Sequence, residues 1–219
     1  MFAFSEKRPD LPAALAARVR PVTSAASRRV PVGEPWEEVL PEAGLRRGST
    51  VVVHAAPGAG ALTLAFSLLG AASTRGHWCA VVGVDDPGVI AMDELGVDLR
   101  RVLFVPRPRG AWAESAADLV DGVDVVVLRT PSRTAHGAAR RLMGRVRERG
   151  AVLIVLSEPA APWPLPADLT LEILWSRWRA VSRLEGREAR VRVSGRGSAR
   201  RVRELTLTLP APTGRVLAG

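Results

Sequence analysis

Two residues are almost missing from this chain of 219: it has one lysine, Lys7, and one cysteine, Cys79. A lone cysteine excludes any disulfide within the chain. Its apolar setting, His77-Trp-Cys-Ala-Val-Val-Gly-Val84, fits a small buried thiol, since a nucleophile needs cationic and exposed surroundings. No apolar run reaches the roughly 18 residues of a membrane-spanning helix. Met1 to Asp10 also lacks the apolar core of a secretory signal. The expectation is therefore a cytoplasmic protein with no membrane partner. His54, His77 and His136 stand far apart, with no Cys or carboxylate at metal-ligand spacing, so they support no metal site.

What is present is a core and an excess of positive charge. Hydrophobic residues make up 47% of the chain, enough for one packed domain. The formal charge is +9, carried almost wholly by arginine, and the sequence pI is about 11.4. Such a surface suits an anionic partner, nucleic acid first and an acidic protein second. The abundance of Arg, Ala, Val and Gly also matches the codon bias of a GC-rich genome.

Along the chain, residues 1–35 read as a leader. Leu11, Leu15 and Val19 recur at helical spacing, which predicts a short amphipathic helix over 9–20 followed by a Ser/Arg/Pro-rich linker. From 36 the sequence alternates. Strands are expected at 49–54, 80–84, 102–105, 123–128 and 151–156, and helices at 61–69, 89–95, 112–120 and 134–149. Continuous Val/Ile/Leu runs separated by helices mean strands buried on both faces, hence a mostly parallel α/β sheet flanked by helices. Beyond Pro166, four further strands without helices (169–175, 178–184, 189–193 and 202–209) predict an antiparallel β extension, with Glu185-Gly-Arg187 as one of its turns. Residues 36–209 form the expected core, and 210–219 a flexible C-terminal tail.

The strand at 49–54 is followed by a Gly/Pro-rich loop and a helix, which is where a phosphate-binding loop belongs. In the pattern G-x-x-x-x-G-K-[S/T], glycines let backbone N–H groups wrap a phosphate, lysine neutralises it, and the hydroxyl binds Mg²⁺. Here the loop reads Ala55-Ala-Pro-Gly58-Ala-Gly60-Ala61-Leu62. Ala55 replaces the first glycine, Ala61 the lysine and Leu62 the hydroxyl. No lysine follows Lys7, and no arginine lies between Arg47 and Arg75 to substitute. The strand that should end in a Mg²⁺-holding carboxylate, Asp124-Val-Val-Val-Leu128, ends in Arg129 instead. With both positions changed, phosphoryl transfer loses its charge neutralisation. The expectation is a pseudo-ATPase with no catalytic residues, no cofactor and no metal.

These segments resemble the RecA family. Leu40 to Val53 looks like the lead-in to its phosphate loop, Asp85 to Asp98 like the stretch after its second core strand, and Val123 to Thr130 like its Walker B strand. The short, proline-rich Pro159 to Pro166 stands where the family has a DNA-binding loop. Within the family, the degenerate core is most similar to actinobacterial ImuA-type mutasome accessory proteins. The resemblance implies a catalytically inactive adaptor in the DNA damage (SOS) response that supports translesion synthesis. It would bind a Y-family-polymerase-like subunit of ImuB type and, through it, an error-prone C-family DNA polymerase, and would be drawn to the nucleoid on damage. DNA contact and self-association through the N-terminal helix are further expectations. A SulA-like cell-division inhibitor and a divergent RecA-like ATPase are the alternatives.

Candidate DNA- or partner-binding residues come from the extension. Arg177 and Arg179 share a strand face, as do Arg190 and Arg192, with Arg201, Arg203, Trp175 and Trp178 nearby. Guanidinium groups beside indoles can grip phosphates and stack on bases, although a solvated sheet face has the same composition. Trp163 is a partner anchor if exposed and a loop tether if buried.

Overall fold

The computed structural model describes residues 28–108, 112–131, 133–180, 184–209 and 216–218. The helix expected over 9–20 lies outside them. A short strand β1 (Arg29–Pro31) pairs antiparallel with β2 (Gly44–Arg46), with helix α1 (Trp36–Val39) between them. This corrects the expected boundary at 35: Val30 and Val32 are fully buried, so the core begins within the supposed linker. The two valines supply apolar anchors that a Ser/Arg/Pro-rich composition hides.

The Val-rich runs become β3 (Thr50–His54), β4 (Cys79–Val82), β5 (Val102–Val105), β6 (Val125–Arg129) and β7 (Val152–Ser157). They alternate with helices α2 (Ala61–Ser67), α3 (Gly70–Thr74), α4 (Val89–Glu94), α5 (Trp112–Val120) and α6 (His136–Arg149). The expected helix at 61–69 is thus broken after Ser67. Strands β8 (Leu169–Ala180), β9 (Leu184–Gly195), β10 (Arg203–Thr208) and β11 (Leu217–Ala218) complete one nine-stranded sheet in the order β11-β10-β9-β8-β3-β7-β6-β4-β5. From β8 to β5 neighbouring strands are parallel, and from β8 to β11 they are antiparallel.

Two details differ from expectation. The first three strands expected in the extension are two long ones, β8 and β9, because Glu185-Gly-Arg187 lies inside β9 and makes no turn, whereas the fourth, expected at 202–209, is β10. Leu217–Ala218 pairs with β10 and Val216 is buried, so the flexible tail expected from 210 does not include 216–218.

Each face of the sheet carries its own core. One is built from α1 to α4 with β1 and β2, around Trp36, Leu64, Phe66, Leu69 and Met92. The Trp36 indole N–H donates to Ser67 Oγ at 2.8 Å, which satisfies a fully buried donor. The other core lies under α5 and α6, around Leu142, Met143, Val146 and Trp163. Cys79 sits buried in the first core, and burial pushes its thiol up to about 12, as an inert structural cysteine requires. Among the described residues no helix is long and apolar enough to cross a membrane.

The strand starts and the strand ends of the sheet are built differently. At the starts, the carboxylate of Asp124, just before β6, accepts from Arg47 Nη2 at 2.7 Å and from the Trp78 N–H at 3.0 Å, and lies 3.2 Å from His77 Nδ1. Asp168, just before β8, accepts from the Thr50 N–H at 2.9 Å and from Arg46 Nη2 at 3.0 Å. These two acids tie the lead-in of β3 to the starts of β4 and β8.

Candidate functional site

In an open parallel sheet, ligands bind beyond the carboxyl ends of the strands. There, β3, β6 and β7 open onto a pocket of about 200 Å³. Its lining includes the 55–62 loop, Arg129 at the end of β6, Ser157 and Glu158 at the end of β7, and Arg187 from β9. The 55–62 loop and Arg129, far apart in the sequence, thus line one pocket.

Two glycines of the loop take left-handed backbone. Gly58 has φ +74° and Gly60 has φ +105°, a region that residues with a Cβ rarely adopt. Beyond it, the side chains have changed character. Ala61 and Leu62 present methyl groups where a lysine and a hydroxyl would stand, and Arg129 presents a cation where a carboxylate would stand. Ser157 Oγ is engaged by the Trp163 N–H at 3.1 Å and by His54 Nδ1 at 3.3 Å. Neither Leu62 nor Arg129 offers an oxygen, and the side-chain oxygens described in the lining are those of Ser157 and Glu158. Among the described residues, no cluster of three or more His, Cys, Asp or Glu side chains is placed to hold a metal ion.

Sequence reasoning missed Arg187. In β9, Arg187, Ala189, Val191 and Val193 fall on one face by period two, and the last three are buried in the first core. That parity carries Arg187 inward to the loop, where its Nη1 lies only 2.9 Å from the point a Cβ on Gly60 would occupy. The guanidinium stacks on Trp178, its cross-strand partner, with Cζ 4.4 Å from the ring centroid. Its Nε is buried and has no hydrogen-bond partner among the described residues. Burial holds this guanidinium below its ordinary pKa. An arginine standing in phase with three apolar residues was the available sequence signal.

The extension does not assemble its candidates into one basic surface. Arg177 pairs with Glu188 at 2.7 Å, and Arg192 pairs with Glu172 at 3.1 Å and Glu204 at 3.0 Å. Arg190 also reaches Glu204 at 3.4 Å. Together they form a cross-strand ladder of alternating charge on the face opposite the pocket. Trp175 is on that outer face, 44% exposed, with Arg177 5.6 Å from its ring centroid. Trp178 is on the pocket face, 47% exposed. Arg179 and Arg201 are exposed, and Arg203 donates to the Val39 carbonyl at 3.2 Å. Trp163 is only 8% exposed and packs beneath α6, so it is a tether and not a partner anchor.

A family model described as the MT3502 N-terminal domain matches residues 38–164, more than half of the chain. The protein Rv3395c of Mycobacterium tuberculosis is 38% identical over 97 residues, 44% of this chain and 48% of that protein. The chain thus spans about half the length of the curated relative it matches. Among solved structures, the flagellar accessory protein FlaH from Methanocaldococcus jannaschii is similar with a TM-score of 0.64 at 11% identity, over 88% of this chain and 98% of that one. The KaiC-like protein PH0186 from Pyrococcus horikoshii is similar with a TM-score of 0.62 at 16% identity, over 88% and 99%. At these identities the likeness concerns the fold, which is RecA-like.

Proposed function

Since the chain belongs to the MT3502 N-terminal domain family and has a RecA-like fold, we propose that it is a divergent RecA-like protein that binds without hydrolysing nucleotide. In this reading it is an adaptor in DNA-damage tolerance. Its partner is a Y-family-polymerase-like subunit, which connects it to an error-prone C-family polymerase at the nucleoid. The observation that carries the loss of hydrolysis is the pocket itself, where Ala61, Leu62 and Arg129 stand at the positions that would neutralise phosphate and hold Mg²⁺. Phosphoryl transfer depends on positioning and charge neutralisation, so those three residues remove its main source of rate. The adaptor role and its partner rest on the resemblance of Leu40 to Val53, Asp85 to Asp98 and Val123 to Thr130 to the RecA family, and of the degenerate core as a whole to ImuA-type accessory proteins.

Two experiments test this reading. Purified protein incubated with Mg²⁺ and ATP should release no phosphate above a no-protein control; turnover would sink the pseudo-ATPase assignment. Tagged protein in lysate of DNA-damaged cells should capture a Y-family-like polymerase subunit, identified by mass spectrometry and then reconstituted from purified components. Capture of the tubulin-like division protein in its place would favour the SulA-like alternative.

A further inference from the structure

Most arginines on β8 and β9 with described side chains are neutralised within the sheet; the one turned inward is not. Arg177, Arg190 and Arg192 each face a carboxylate at 3.4 Å or less. Arg187 has none among the described residues, although its Nε is buried and without a hydrogen-bond partner there. Stripping water from a cation without supplying an acceptor costs stability, and a fold tolerates it where something else supplies the acceptor. Trp178 holds the guanidinium flat by stacking but offers no hydrogen-bond acceptor.

A second cation shares the cavity. Arg129 lines the same pocket and also lacks a hydrogen bond or ion pair among the described residues. The one carboxylate in the lining, Glu158, pairs with neither of them. Among the described residues the cavity therefore has two unneutralised guanidinium groups against one carboxylate, beside a loop whose φ values at Gly58 and Gly60 leave its backbone open to close approach. Arg129 comes from β6 and Arg187 from β9, so the two forks enter from separate strands. Planar guanidinium forks suit tetrahedral oxyanions, and because arginine itself supplies the positive charge, no divalent metal is needed.

We propose that this pocket is a magnesium-independent binding site for a pyrophosphate-class oxyanion, gripped by Arg187 and Arg129. The site stands on the pocket geometry and not on the adaptor reading. ATP turnover would overturn the pseudo-ATPase reading alone, failure to capture a polymerase subunit the adaptor reading alone, and failure to bind an anion this site alone.

The test is a calorimetric titration of the full chain with pyrophosphate in EDTA at constant ionic strength, with ADP as a parallel ligand. Saturable one-to-one binding is expected, unchanged on adding Mg²⁺. Arg187→Gln and Arg129→Gln should each weaken it about tenfold or more, the loss that follows from removing one charged hydrogen-bond donor. Arg129 is exposed, so its variant keeps the test informative if Arg187→Gln folds poorly. Arg177→Gln removes the same charge from the opposite face and should leave affinity unchanged. Because Trp178 stacks on Arg187, pyrophosphate should also alter tryptophan emission, and Trp178→Phe should abolish that change. ADP binding as tightly as pyrophosphate would identify the phosphates as the recognised group, and tighter ADP binding would add a nucleoside contribution. Absence of saturable binding, a strict need for Mg²⁺, or equal weakening by all three arginine variants would overturn the proposal.

Discussion

The two ends of the central strands use charge in opposite ways, and β6 shows the contrast within one element. At its start, Asp124 is fully engaged by Arg47, His77 and a backbone N–H. At its end, Arg129 has no partner among the described residues and lines a cavity. The starts of the strands are therefore cross-linked, and the ends retain unsatisfied donors. Charge that is satisfied inside the chain contributes to folding, whereas charge left over is available to something outside it. Composition alone cannot separate the two, since a net charge of +9 counts both alike.

Substitutions at the two ends should separate these roles. The largest effect is expected from Asp124→Ala, which strands the half-buried Arg47 and orphans the Trp78 N–H. A loss of about 3 kcal/mol in urea unfolding is expected, with pocket affinity unchanged in the folded fraction. Next is the acid dependence of the same group. Burial by itself would raise the Asp124 pKa, but hydrogen bonds from His77 and Arg47 outweigh it and hold the carboxyl at about 2, against an ordinary 3.8. Because the folded value is the lower one, its contribution is complete above 3.8 and disappears as pH falls through about 2. Wild-type protein should lose about 2 kcal/mol more than Asp124→Asn across that window. Gly60→Ala should cost about 1 to 2 kcal/mol by forcing a Cβ into left-handed backbone and against Arg187. The smallest change is expected for Arg187→Met. Replacing an unpaired, partly desolvated cation by an apolar chain of similar length should leave the melting temperature unchanged or slightly raised. A large destabilisation there would mean that Arg187 serves the fold, and the contrast between the two ends would fail.

Much of the fold was legible because buried parallel strands announce themselves: Thr50–His54, Val125–Arg129 and Val152–Ser157 are near-continuous Val/Ile/Leu. The degenerate loop and Arg129 were equally plain, since both are deviations from a fixed spacing. The antiparallel extension was harder. Gly186 looked like a turn residue but lies within a strand, and an irregularity in the β8–β9 register between Ile173 and Trp175 shifts the parity of everything after it. That shift turns Trp175 to the outer face, and its spacing of three from Trp178 then puts the two indoles on opposite faces, so counting arginines and tryptophans along the sequence overestimated the basic surface. The glutamates that neutralise Arg177, Arg190 and Arg192 are on neighbouring strands, 11 to 20 residues away in sequence. No local pattern connects them. Arg187 was hidden for the same reason, as its target loop lies over a hundred residues earlier.

Strand β8 is twelve residues long, but β3 pairs with it only from Leu169 to Glu172. On the other side, β10 accompanies β9 only as far as Glu188. The end of the β8–β9 hairpin thus projects past both neighbours as a cantilever, with Trp175 on its outer surface and the Trp178–Arg187 pair beneath. The outer indole and the inner guanidinium are therefore one thickness of strand apart, so the outer surface and the 55–62 loop share this single layer as their wall.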